Sequence, residues 1–73
     1  MASDERLKTD IETAFVKDGI RFVTWKWNEK AEELGLKGES FGVIAQEVQE
    51  EHPEAVIEMD NGYLGVDYSK LGA

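Results

Sequence analysis

Ser3 and Lys8 place one hydroxyl and one amine five positions apart in the segment Ser3-Asp4-Glu5-Arg6-Leu7-Lys8. A serine hydroxyl becomes a nucleophile when a neighbour takes its proton, and a lysine can take it only if desolvation or a nearby cation keeps the amine neutral. In water, Lys8 would keep a reference pKa of about 10.4 and stay protonated at neutral pH. The same residues also read as a capped, solvated turn, with Arg6 paired to Asp4 or Glu5 rather than acting on the lysine. No regular structure joins the two groups. Five residues of helix rotate the chain by roughly 140°, and an odd spacing along a strand points side chains to opposite faces. Either the backbone bends sharply around Asp4, Glu5 and Arg6, or the lysine comes from an adjacent subunit.

Other reactive side chains read as structural. His52, the single histidine, lies at an expected helix C-terminus, where it complements the helix dipole. Glu47, Glu50, Glu51 and Glu54 lack the Asp and Gly spacing of a calcium loop and read as a solvated face. Trp25 and Trp27 suit core or subunit packing better than stacking on a sugar or base. Gln46-Glu47 reads as a pair holding neighbouring backbone or a subunit contact.

The elements that must position Ser3 and Lys8 are short. Thr9 or Asp10 caps an expected helical turn through Ile11, Ala14 and Phe15, ended by Gly19. Ile20 to Trp27 reads as a strand with Val23, Trp25 and Trp27 on one face and Ile20, Phe22 and Thr24 on the other. Asn28 caps a short helix carrying Ala31 and Leu34, stopped by Gly35, and Lys37-Gly38-Glu39 is a turn. A strand from Phe41 to about Ile44 leads into a helix from Ala45 to Glu51, which Pro53 terminates. Ala55 to Met59 and Tyr63 to Val66 form a hairpin, for which Asn61-Gly62 predicts a type I′ turn. The fold class is α+β, a small antiparallel sheet with a β-hairpin and short helices.

A chain of 73 residues buries only roughly 60% of its unfolded surface and needs a staple. With no cysteine there is neither disulfide nor thiolate metal site, which leaves oligomerisation. Sixteen Asp and Glu against eight Lys and Arg give a net charge of −8, which argues against binding nucleic acid or an anionic membrane. No apolar run reaches membrane-spanning length, and no signal-peptide pattern opens the chain. There is no repeat and no linker, so residues 3–73 read as one domain.

Three segments carry a resemblance: Ser3-Asp4-Glu5-Arg6-Leu7-Lys8, then Phe41-Gly42-Val43-Ile44-Ala45-Gln46-Glu47-Val48 running on to Pro53-Glu54, then Val66-Asp67-Tyr68-Ser69-Lys70-Leu71. In this order and at these intervals they resemble the C-terminal intramolecular chaperone domain of the endosialidase type, found on phage tail spikes and tail fibres. The resemblance implies a homotrimer that helps the upstream fibre or spike region of its own polypeptide to fold. It also implies a single-turnover self-cleaving serine peptidase, with Ser3 as nucleophile, Lys8 as general base and the Ala2–Ser3 bond as the cleavage site. Met1-Ala2 would then be leading residues, and no cofactor or metal is called for. Such a domain works in the host cytoplasm during assembly and, if retained, on the virion tail. A non-cleaving trimeric cap or interaction module at a fibre tip is the alternative.

The pattern departs from the family in two places. Related domains commonly continue into a long helix where this sequence reads Gly72-Ala73, and the segment between Lys8 and Ile20 is short for a full helix. The expected subunit contacts are the apolar faces of the strand from Ile20 to Trp27 and the segment around Ile44 and Val48.

Overall fold

The computed structural model of the chain describes residues 1–71; the expectation attached to Gly72-Ala73 lies outside the described residues. Two antiparallel sheets and two short helices make up the domain, in agreement with the α+β class. The larger sheet has the order β1-β2-β3, with β1 at Lys8–Lys17, β2 at Ile20–Trp27 and β3 at Glu39–Gly42. In the smaller one, β4 (Val56–Glu58) pairs with β5 (Leu64–Val66).

The helical turn expected after Thr9 is a strand instead. β1 pairs with β2 along its whole length, but the register slips between Thr9 and Glu12 and again between Thr13 and Phe15. Each slip is a bulge that places an extra residue on β1, and Asp10 at the first has φ +52°. Two bulges within ten residues break the period-two alternation of a strand and leave apolar spacings that mimic one helix face. Gly19 ends no helix. Asp18 and Gly19, at φ +53° and +79°, join Lys17 to Ile20 with the two consecutive positive φ values of a type I′ turn.

The strand from Ile20 to Trp27 is as expected: Val23 and Trp25 are buried, and Thr24 and Lys26 on the opposite face are exposed. Asn28 caps α1 (Glu29–Glu33) by accepting from Ala31 N at 3.1 Å. β3 ends at Gly42, two residues earlier than expected, and α2 occupies Ala45–Glu51. α2 packs its apolar stripe inward, so that Val43, Ala45 and Val48 join Ile20, Ala55 and Val66 in one core cluster, while Val23, Trp25 and Ile44 form a second. Ile44 and Val48 are therefore buried in the subunit's own core, which corrects their assignment to a subunit contact. Exposed apolar side chains include Phe15 and Phe41, which with the half-buried Phe22 bring three rings within 6.0 Å of one another on the larger sheet.

The second hairpin also differs in its turn. Gly62 has φ +85° but Asn61 does not share a positive φ, so the turn is not type I′. Gly62 N donates to Met59 O at 2.9 Å and Met59 N to Tyr63 O at 2.8 Å. That is a three-residue loop with glycine at the left-handed position. Asn61 instead accepts from Tyr63 N through its side chain, at 3.0 Å. Among the described residues no helix is long and apolar enough to cross a membrane.

Candidate active site

A sharp bend within one chain brings Ser3 and Lys8 together. Asp4 caps a 3₁₀ turn at Glu5–Leu7, its Oδ1 accepting from Arg6 N at 2.9 Å, and Lys8 returns to extended backbone as β1 begins. Leu7 is fully buried and anchors the turn from below. Asn28 fixes it from the side: its backbone N donates to Leu7 O at 3.0 Å and its Nδ2 to Arg6 O at 2.9 Å.

Lys8 Nζ donates to Ser3 O at 3.0 Å and to Val43 O at 2.7 Å, and lies 3.7 Å from the centroid of the Trp25 ring. Burial pulls its pKa down to about 8, against the opposing influence of Asp4 and Glu47. Ser3 is itself fully buried. Its N donates to Leu64 O at 3.0 Å, and its carbonyl accepts from Ala45 N at 2.8 Å as well as from the lysine. The lysine thus holds the serine carbonyl, whereas the serine hydroxyl donates to Met1 O at 3.3 Å.

Beneath the bend lies a buried carboxylate. Asp4 Oδ1 accepts from Arg6 N, from Arg6 Nε at 3.0 Å and from Gln46 Nε2 at 2.8 Å; Oδ2 accepts from Arg6 Nη2 at 2.7 Å and from Leu64 N at 2.9 Å. Burial alone would raise the pKa of this group. The guanidinium and amide donors together outweigh it and hold the carboxyl well below the usual carboxylate range. Gln46 completes the clamp, its Oε1 accepting from Glu5 N at 2.9 Å. The start of α2, the bend and β5 are thereby tied to one side chain.

A peptidase family described as chaperone of endosialidase matches residues 3–57 by its family model. The chain belongs to this family. Comparisons with curated proteins and with solved structures returned no match. Membership in the chaperone-of-endosialidase family gives the domain a chaperone role within a peptidase-like scaffold. The matched stretch covers both Ser3 and Lys8, and it stops before β5.

Several residues that build this family member's site went unnoticed in the sequence. Asp4 is more than a partner for Arg6: in Ser-Asp-x-Arg an acidic side chain two positions before a donor is an Asx-type capping signal. Trp25 packs in the core, as expected, and its ring also faces the lysine amine. Gly42 makes way for Tyr68: a Cβ there would lie 2.2 Å from Tyr68 Oη, which accepts from Val43 N at 3.0 Å. Glu47 pairs with Arg21 at 2.6 Å, and His52 at the end of α2 lies 3.7 Å from Glu54. Among the described residues no group of three or more His, Cys, Asp or Glu side chains is placed to hold a metal ion.

Proposed function

We propose that this domain is a C-terminal intramolecular chaperone which assembles as a homotrimer, guides an upstream phage tail fibre or tail spike region into its trimeric fold within the host cytoplasm, and then releases itself at Ala2–Ser3. The observation that carries the reading is the burial of the Lys8 amine against Ser3, with a pKa of about 8. At pH 7 that leaves roughly one lysine in ten neutral, against fewer than about one in a thousand for a solvated lysine. A neutral amine has two N–H groups and one lone pair. The carbonyls of Ser3 and Val43 take the two N–H groups, which leaves the lone pair free to accept a proton.

The step balances without a cofactor. Rotation about χ1 frees the Ser3 hydroxyl from its 3.3 Å bond to Met1 O. Lys8 takes the hydroxyl proton as Oγ attacks the Ala2 carbonyl carbon. The C–N bond then breaks, Lys8 returns the proton to the Ser3 nitrogen, and Ala2 is left as an ester on Oγ. Water hydrolyses the ester to the Ala2 carboxylate, restoring the Ser3 hydroxyl and leaving a free Ser3 amine.

Chaperoning follows from the entropy of fibre assembly, because three chains must be held in register before interchain contacts can offset their lost freedom. A compact trimer at one end raises the local concentration of the attached chains. The exposed rings of Phe15 and Phe41 supply apolar surface for such contacts. The test is a fusion of an upstream fibre segment to this domain. Cleavage without added protease is expected, with a product beginning at Ser3, and Ser3→Ala and Lys8→Ala should each abolish it while leaving a folded domain. Unchanged cleavage in Ser3→Ala removes Ser3 from the mechanism. A trimeric fusion that never cuts favours the non-cleaving cap.

A further inference from the structure

The backbone entering Ser3 is held as a strand. Met1 N donates to Val66 O at 3.1 Å, Val66 N donates to Met1 O at 2.9 Å, and Ser3 N donates to Leu64 O at 3.0 Å, with Ala2 bridged antiparallel to Gly65 between them. Met1 and Val66 exchange both their hydrogen bonds, so Ala2 and Gly65 form the intervening non-hydrogen-bonded pair, where strands approach most closely. Gly65 has β4 on its other side, paired with Ile57. A Cβ on Gly65 would meet Met1 O at 3.1 Å and Met59 Sδ at 3.2 Å. Met59 can turn aside. The Met1 carbonyl is held by its bond from Val66 N, so retreating by a few tenths of an ångström lengthens that bond.

We infer that the free edge of β5 is the docking site for the polypeptide entering the cleavage point, and that Gly65 is the positioning residue that lets the Ala2–Ser3 peptide lie against it. The inference rests on the self-cleavage reading and deepens it by naming how the substrate is recognised. Recognition is by strand addition, in which main-chain hydrogen bonds grip an extended segment. They grip it on both sides of the bond to be cut, at the Met1 carbonyl and the Ser3 amide. The same β5 residue that receives Ser3 N also donates to Asp4, so the docked strand and the bend that carries Lys8 share one anchor, Leu64. An extended substrate of almost any sequence fits, provided the residue at position 1 keeps its N–H.

The experiment uses the upstream fusion, in which Met1 becomes an internal residue. Because misplacement by about 1 Å can cost a hundredfold in rate, Gly65→Val is expected to slow cleavage by about that factor, Gly65→Ala by less, and Met1→Pro, which removes the donor to Val66 O without touching β5, to slow it as well. A second measurement uses the uncleavable Ser3→Ala fusion. Hydrogen exchange should protect the amides of residue 3 and Val66, and Gly65→Val should abolish that protection while the α2 amides Val48 and His52 stay protected as a control on folding. Equal cleavage rates in the parent, Gly65→Val and Met1→Pro fusions, with unchanged protection, would overturn the docking inference and leave self-cleavage standing. Protection that depends on Gly65 in a parent fusion that never cuts would support docking and overturn self-cleavage.

Discussion

The Lys8 amine rests 3.7 Å from the centroid of the Trp25 indole, with the ring wholly buried. The two effects of this arrangement oppose each other. The electron-rich ring face favours a cation, whereas the exclusion of water that the ring enforces favours a neutral amine. Burial is the stronger influence, since the pKa falls to about 8.

Stability should record this conflict. The folded-state pKa of Lys8 lies below its ordinary value of 10.5, so between about pH 8 and pH 10.5 the unfolded chain binds more protons and stability rises with pH. The penalty relieved across that window is about 3 kcal/mol. Urea titrations of the wild type and Lys8→Met at pH 7 to 10.5 should show the wild type gaining on the variant as pH rises. A constant difference would mean the amine is not held near pH 8.

Cleavage of the fusion should accelerate as one proton is lost near pH 8 and level off above it. Trp25→Phe keeps a ring but a weaker cation acceptor, so the midpoint should move down, by up to about one pH unit. Single-turnover rates across pH 6 to 10 provide the measurement, and a midpoint that rises instead would mean that water has entered beside the amine.

Asp4→Asn should destabilise the domain by about 3 kcal/mol, because an amide presents N–H groups to donors that now converge on an oxygen and leaves buried groups unpaired. The wild-type advantage should hold above pH 4 and shrink as pH falls below the ordinary carboxylate range, since the folded-state pKa is depressed. Urea denaturation of both proteins from pH 2 to pH 7 tests the size and the sign together.

Gly42→Ala should cost about 2 kcal/mol through overpacking against Tyr68, and Tyr68→Phe about 1 kcal/mol through the lost bond from Val43 N. Because the hydroxyl is the nearest obstacle, at 2.2 Å, the double variant should cost less than the two single changes combined. A double-mutant cycle by denaturation reads the coupling directly.

Phe41→Asp places a charge among the three clustered rings while leaving the buried core untouched. If these rings form the subunit contact, sedimentation should show the wild type as a trimer and the variant as a monomer at the same concentration, with unchanged circular dichroism. Identical association would move the contact elsewhere on the domain.

What could be read from the sequence was what local chemistry determines. The strand from Ile20 to Trp27, the Asn28 cap and the break between β3 and α2 each follow from residue type within a few positions. β1 was misread because its bulges at Asp10 and Ala14 disturb the one periodicity that marks a strand. The bend between Ser3 and Lys8 was legible as a necessity, but the partners that hold it were not. Asp4 meets Gln46 and Leu64, and Lys8 meets Val43, only after folding has brought distant segments together. The two tight turns escape a reading by residue type for a local reason: Asp18 takes a positive φ beside Gly19, where a helix end is expected, whereas Asn61 accepts from Tyr63 N through its side chain and does not share the positive φ of Gly62.

The bond from Leu64 N to Asp4 spans 60 positions of sequence, and this gives the site a place in time as well as in space. During synthesis from the N-terminus, Ser3 and Lys8 leave the ribosome well before the strand that receives Ser3. Throughout that interval Asp4 has Arg6 but lacks its donor from Leu64, and the backbone before Ser3 has no edge to join. A nascent chain stalled before β5 therefore carries the serine and the lysine without the site, and synthesis of β5 is built into the geometry that assembles it.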